Sequence, residues 1–188
     1  LQDWQALEDD LRGAGQAPQG LLRVVVPHAF GQRQLMEPMA DSLRRYPQVS
    51  VDWLLHEREP DFVADNIDCA IHVGTVMDPS VVAVQIAEVP RIVVGAPELL
   101  EGREAPDAIE TLRALPWLAI NLFYRNDISL THRQDGRQCH FQIRPRLSTD
   151  SLHALRTAAL AGLGACIASA WLVAEDVAAG RLLHLAPD

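Results

Sequence analysis

Two short stretches combine residue types that can hold a small polar molecule. Pro27-His28-Ala29-Phe30-Gly31 follows the apolar run 21–26, and Ser148-Thr149-Asp150-Ser151 precedes a periodic run that starts at Leu152. Each joins the carboxyl end of an expected strand to the start of an expected helix. Free main-chain N–H groups and the helix dipole make such a junction a site for an anion or a carbonyl. Ligands of open α/β sheets also sit outside the carboxyl ends of the strands. The plainer reading is an ordinary turn. Phe30 then fills the core, and Thr149, Asp150 or Ser151 caps the helix by accepting from an amide of its first turn. Asp150 facing a ligand would weaken an anion site and favour a polar or cationic group. Asn121, Phe123 and Tyr124 end a third apolar run. They supply an amide and aromatic walls for a pocket, or they belong to the core.

Other chemistries lack their residues. All 16 basic residues are Arg, so Schiff-base lysine chemistry is excluded. No Gly-x-Ser-x-Gly turn occurs among the serines. Seven His are present without a His-x3-His spacing. Alternation along a strand places Cys69 and His72 on opposite faces, which argues against a joint metal site. His72 reads as a polar strand residue, or as a pH-responsive one given its ordinary pKa of about 6.5. Cys69, Cys139 and Cys166 are an odd number without a Cys-x-x-Cys pair. They read as reduced, mostly buried thiols. No catalytic residue, metal or cofactor is assigned.

The elements that must position these residues follow from periodicity. Residues 21–26 form a short buried strand, and 31–45 a helix with Leu35, Met36, Met39 and Leu43 on one face. Pro38 inside that helix predicts a bend. Val49, Val51, Trp53 and Leu55 alternate, which predicts a strand. A short helix is expected around 60–66 and a strand at 68–74. The apolar runs 81–86 and 91–96 follow. Residues 107–115 predict a helix, 118–124 a strand, 125–138 a polar loop, and 139–145 a half-exposed strand. Then come the helix from 151, a strand at 165–169, a helix closed by Gly180, and a last strand in RLLHLAP. Strands alternating with helices predict parallel βαβ units. At the start, Trp4, Leu7 and Leu11 form one helical stripe, and AGQAPQG at 14–20 reads as a hinge.

Several segments in this order carry a family resemblance. They are GLLRVVVPHAFG at 20–31, Tyr46-Pro47 ending a helix, IDCAIHVG at 67–74, and SLHALRTAALAGLGACIASAWLV at 151–173. The set, spanning 20–188, resembles the effector-binding domain of LysR-type transcriptional regulators. The resemblance implies an α/β fold of the two-lobed, type-II periplasmic-binding-protein-like kind, with mixed, mainly parallel sheets and a hinge. Residues 1–19 would be the end of a linker helix and the hinge. Lobe one would be 20–92 plus 167–188, and lobe two 93–166. A small-molecule effector would bind between the lobes, against His28, Ala29, Phe30, Gly74 and Thr75 on one side and Asn121, Phe123, Thr149 and Asp150 on the other. His72 stands where the family often has Arg, which weakens carboxylate binding there. The implied protein is a cytoplasmic homodimer or homotetramer and not an enzyme. It would touch DNA only through a helix-turn-helix head that these residues do not include. Two other readings stand beside it. One is a transporter's solute-binding protein, which has the same fold. The other is a small hydrolase or transferase, for which no nucleophile or metal motif is present.

Bulk properties agree with a folded sensor domain. The chain is 48% hydrophobic and 22% charged, which suits a globular protein rather than a disordered one. A net charge of −9 repels phosphate, so these residues by themselves are poorly suited to nucleic acid. No apolar run approaches the ~20 residues of a membrane span.

Overall fold

β-Branched residues dominate the first strand, β1 (Gly20–Val26), and its second half is the most buried part of the first unit. The computed structural model describes residues 17–58, 60–100, 109–121, 126–132 and 136–186. The expectations for Trp4, Leu7, Leu11 and Phe123 therefore lie outside the described residues. β1 pairs in parallel with β2 (Val49–Leu55) over its full length, Gly20 opposite Val49 through Val26 opposite Leu55. On its other edge it pairs in parallel with β3 (Cys69–Ala70). The sheet order is β2-β1-β3.

Pro27 ends β1, and the chain turns into one π-helical turn, Phe30–Gln34, followed by α1 (Met36–Arg45). The break before α1 replaces the expected bend at Pro38. Pro38 has no N–H for the Gln34 carbonyl, and its ring crowds that carbonyl. The bonding shifts accordingly, with Leu35 N–H reaching Phe30 O at 3.0 Å. Pro38 then stands in the first turn of α1, where a missing N–H costs nothing. A Cβ at Gly31 would collide with the Leu55 side chain, and Trp53 Nε1 donates to Gly31 O at 3.0 Å. Glycine is thus what lets this turn lie against β2.

The expected helix at 60–66 is a turn. Asp61 accepts from the N–H groups of Val63 and Ala64, and Asn66 takes a φ of 51°. Side-chain capping of this kind competes with helix propagation. Residues 81–86 belong to no strand, and Val82, Val84 and Ile86 are exposed.

The second unit is built on β4 (Arg91–Gly95). It lies between β9 (Cys166–Ser169) and β10 (Leu183–His184), antiparallel to both. β5 (Leu118–Ile120) pairs in parallel with β8 (Leu147–Thr149). β6 (Asp127–Thr131) and β7 (Gln138–Gln142) form an antiparallel hairpin where a polar loop was expected before the strand. β6 hides its signal because only Ile128 and Leu130 are apolar, yet Ile128 is fully buried. The helices are α2 (Ile109–Ala114), α3 (Leu152–Leu160) and α4 (Ala170–Ala178). One apolar cluster gathers Val93, Trp117, Ile128, Phe141 and Ile167. Its Trp117 and Phe141 rings meet edge-on at 5.6 Å. A second gathers Val94, Leu118, Leu155, Ala159, Cys166 and Leu182.

The chain divides into compact units at Leu1–Ala83 and Val84–Asp188. Residues 167–186 group with the second unit by their contacts. Gly180, at φ 68°, turns the chain after α4. Leu182 and Leu185 are then fully buried, and β10 closes the free edge of β4. Among the described residues, no helix is long and apolar enough to cross a membrane.

Candidate functional site

In the first unit, the parallel register of β1 and β2 decides what stands beside the His28 turn. Val26 lies opposite Leu55, so the residues just past both strands come together. The His28 N–H donates to Oε1 of Glu57 at 3.0 Å. The His28 side chain is exposed, Phe30 is half-buried, and the Ala29 side chain is buried in the core. Of Ala29, then, only main-chain atoms are suited to a ligand. Gly74 and Thr75 follow β3 and are both exposed, with Gly74 at φ 113°. Because all three strands are parallel, these residues emerge at the same end of the sheet as His28. Glu57 was not singled out from the sequence. Its only signal is that it stands two residues past the end of β2, and its placement beside His28 depends on pairing register.

In the second unit, β5 and β8 bring Asn121 and Thr149 together across 28 positions. Asn121 N–H donates to Thr149 O at 2.9 Å, and the Asn121 side chain is exposed. Thr149 Oγ1 accepts from Ser151 N–H at 3.1 Å, and Ser151 Oγ accepts from Ala154 N–H at 3.3 Å. Ser151 is therefore the helix cap of α3, with Thr149 supporting it and Asp150 exposed between them. Both turns offer hydrogen-bonding groups on firmly paired strands. Neither brings together a nucleophile and a base.

Two of the three thiols are poor nucleophiles. Burial pushes Cys166 up to about 12. Cys69 is also raised, by partial burial of its sulfur and by the neighbouring Asp68 charge. Cys69 is nonetheless exposed and Cys139 half-buried, so only Cys166 matches the expected buried thiol. All three are free. Among the described residues, no group of three or more His, Cys, Asp or Glu could hold a metal ion.

The second unit also holds a buried ion triad. Asp176 on α4 is fully buried and accepts from Arg156 of α3 at 2.5 and 2.8 Å. It also accepts from Arg181 at 3.0 and 2.7 Å. Burial alone pushes this carboxyl up, but the hydrogen bonds and charges of the two guanidinium groups outweigh it. The carboxyl is held below its ordinary value. This triad ties α3, and hence the Thr149 turn, to α4.

Comparison with known proteins matches this arrangement to one family. Residues 15–188 match the LysR substrate binding domain. The chain is 27% identical over 189 residues to the HTH-type transcriptional regulator DmlR of Escherichia coli (strain K12). That match covers all of this chain and 61% of DmlR. It is 26% identical over 178 residues to the regulator PtxR of Pseudomonas aeruginosa, covering 95% of this chain and 57% of that one. The chain thus spans about three fifths of the length of these curated relatives, which are transcription regulators and not enzymes. The fold is similar to full-length AphB of Vibrio cholerae, with a TM-score of 0.80 and 22% identity, covering 100% of this chain and 63% of AphB. It is likewise similar to CrgA of Neisseria meningitidis, with a TM-score of 0.76 and 24% identity, covering 99% and 63%. With a family match across nearly its whole length, the chain belongs to the LysR substrate-binding domain family.

Proposed function

We propose that residues 20–188 are the effector-sensing part of a LysR-type transcriptional regulator. They would bind a small molecule and pass the change to a DNA-binding segment outside this stretch. The family match over residues 15–188 is the observation that carries this reading. In it, the effector touches the His28–Phe30 turn and the Gly74-Thr75 bend of the first unit. In the second unit it touches Asn121, Thr149 and Asp150, with Phe123 nearby in sequence. Binding acts by stabilising one conformation over another, and only differential affinity for the two shifts that balance. No covalent chemistry is assigned to the site. The whole regulator would work in the cytoplasm as a homodimer or homotetramer.

A thermal-shift screen of small acids, amines, amino acids and aromatic compounds tests this. A compound at about 100 times its Kd should add about 2.7 kcal/mol of stability. With a compound so found, His28→Ala and Thr149→Ala should weaken binding, Thr149→Ala by about 1–3 kcal/mol if its hydrogen bond to the effector is lost. Unchanged affinity in both variants, with intact melting curves, would place the site elsewhere.

A further inference from the structure

The helical stretch after β1 is built of two pieces that are held very differently. The first, Phe30–Gln34, is clamped to β2. Gly31 is buried, and the side chains of Leu55, Trp53 and Val26 pack where its Cβ would stand. Trp53 Nε1 donates to Gly31 O at 3.0 Å, and the Gly31 N–H donates to Pro27 O at 2.9 Å. The second piece, α1, is held loosely. Every residue of α1 keeps part of its surface exposed. Arg44 pairs with Asp41, and the Arg45 guanidinium lies 5.4 Å from the centre of the Tyr46 ring. These contacts tie the helix to itself rather than to the sheet. The joint between the pieces is weak. A continuous α-helix would carry the Leu35 N–H to Gly31 O. Here it goes to Phe30 O at 3.0 Å, and the Trp53 indole meets Gly31 O instead. Leu35 itself has φ −100° and ψ −6°, away from the α-helical centre. Pro38 has no N–H to give to Gln34 O, so the next bond across the joint is missing too. At the far end of α1, Pro47 likewise offers no donor between Tyr46 and β2.

We propose that Leu35 and Pro38 form a hinge, and that α1 moves about it as one body while the Phe30–Gln34 turn stays latched to β2 by Trp53. Segments with few buried contacts open locally at a lower free energy than the core. Hinge motions are absorbed by a few residues at the ends of elements, so the sheet need not open for α1 to change position. Trp53 decides which side of the joint moves, because its indole replaces the lost helical donor at Gly31 O and fixes the turn to the strand. The inference goes beyond the effector reading and does not depend on it, since the joint is a property of the chain without any ligand.

Native-state hydrogen exchange on the whole 188-residue chain, read residue by residue in ¹⁵N–¹H spectra without ligand, tests this. The amides of Leu43, Arg44, Arg45 and Tyr46 should share one opening equilibrium. They should exchange about a hundredfold faster than those of Val25 and Val26 in β1. The Gly31 amide and the Trp53 indole N–H should stay protected with β1 rather than open with α1. Pro38→Ala supplies the missing donor for Gln34 O. It should slow exchange across α1 by about tenfold, the net worth of one hydrogen bond, and leave Val25, Val26 and Gly31 unchanged. Trp53→Phe removes the latch, and the Gly31 amide should then exchange at the rate of α1. Wild-type Gly31 and Trp53 signals that exchange together with α1 would overturn the hinge, because turn and helix would then move as one body. A gradient of rates along α1, the mark of end fraying, would overturn it as well. So would an unchanged α1 rate in Pro38→Ala. The wild-type rates decide the question even if a variant fails to fold.

Discussion

Asp176 shows how one residue can fix the relation of two helices. Its carboxylate is cut off from water and its charge is carried by Arg156 and Arg181, whose side chains are 29% and 53% exposed. Asp176→Asn leaves both guanidinium groups without their counter-charge. The expected loss is about 3 kcal/mol, the low end for a broken buried pair, because both arginines can still reach water. Because the folded carboxyl lies below its ordinary value, the stabilisation is present above the unfolded pKa of about 3.9 and disappears as pH falls through the folded one. Urea melts should therefore show a large gap between wild type and Asp176→Asn at neutral pH. The gap should narrow in acid below about pH 4. A gap independent of pH would mean that the ion triad is not its source.

At the scale of elements, the connection from α3 into β9 is tightly packed. Gly164 sits where a Cβ would come within 2.7 Å of Pro116 O and 3.1 Å of Leu118 Cγ. The same stretch carries Ala165 N–H to Pro116 O and Leu118 N–H to Ala165 O, both at 2.8 Å. A methyl group there pushes against main chain, which cannot rotate away. Gly164→Ala is expected to cost about 1–3 kcal/mol, as overpacking does. Gly162, two residues earlier, is the matched control. Its Cβ would meet nothing, but its φ of 71° disfavours any side chain, so Gly162→Ala should cost about 1–2 kcal/mol through backbone strain alone. Crystal structures of the two variants check the cause. Gly164→Ala should shift β5 away from β9, and Gly162→Ala should shift neither strand. An unmoved β5 in Gly164→Ala would show that the contact is not rigid.

For the whole molecule, charge sets the expectation for nucleic acid. Residues 1–188 carry −9 in total, and the matched regions make up 61% of DmlR. Phosphate contacts supply most of the affinity in protein–DNA complexes and need a basic surface. Mobility-shift assays with this chain alone, at about 0.15 M salt, should show no sequence-specific complex on duplex DNA. A specific, salt-sensitive complex would mean that the sensing domain itself carries a DNA surface.

Much of the second unit was legible because its signals are local. The helix of α3, the glycine stop, the apolar strand β9 and the closing Gly180 each depend on neighbours a few residues apart, and each appears where the sequence puts it. The ordered set of such segments also carried the family resemblance without any tertiary information. Other features depended on contacts far apart in the chain. β6 was read as loop because two apolar residues among polar ones make a weak period, and only its pairing with β7 buries Ile128. The partner of β10 was not legible either, because a short strand does not state its partner; pairing with β4 and burial of Leu182 and Leu185 decide it. The candidate site divides the same way. The sequence by itself determined that His28 and Thr149 stand at strand-to-helix turns, since strand, breaker and helix signals are contiguous there. Only the tertiary structure decided what the His28 amide meets. Glu57 lies 29 residues from His28, and parallel register, invisible in a one-dimensional pattern, brings its carboxylate to that N–H.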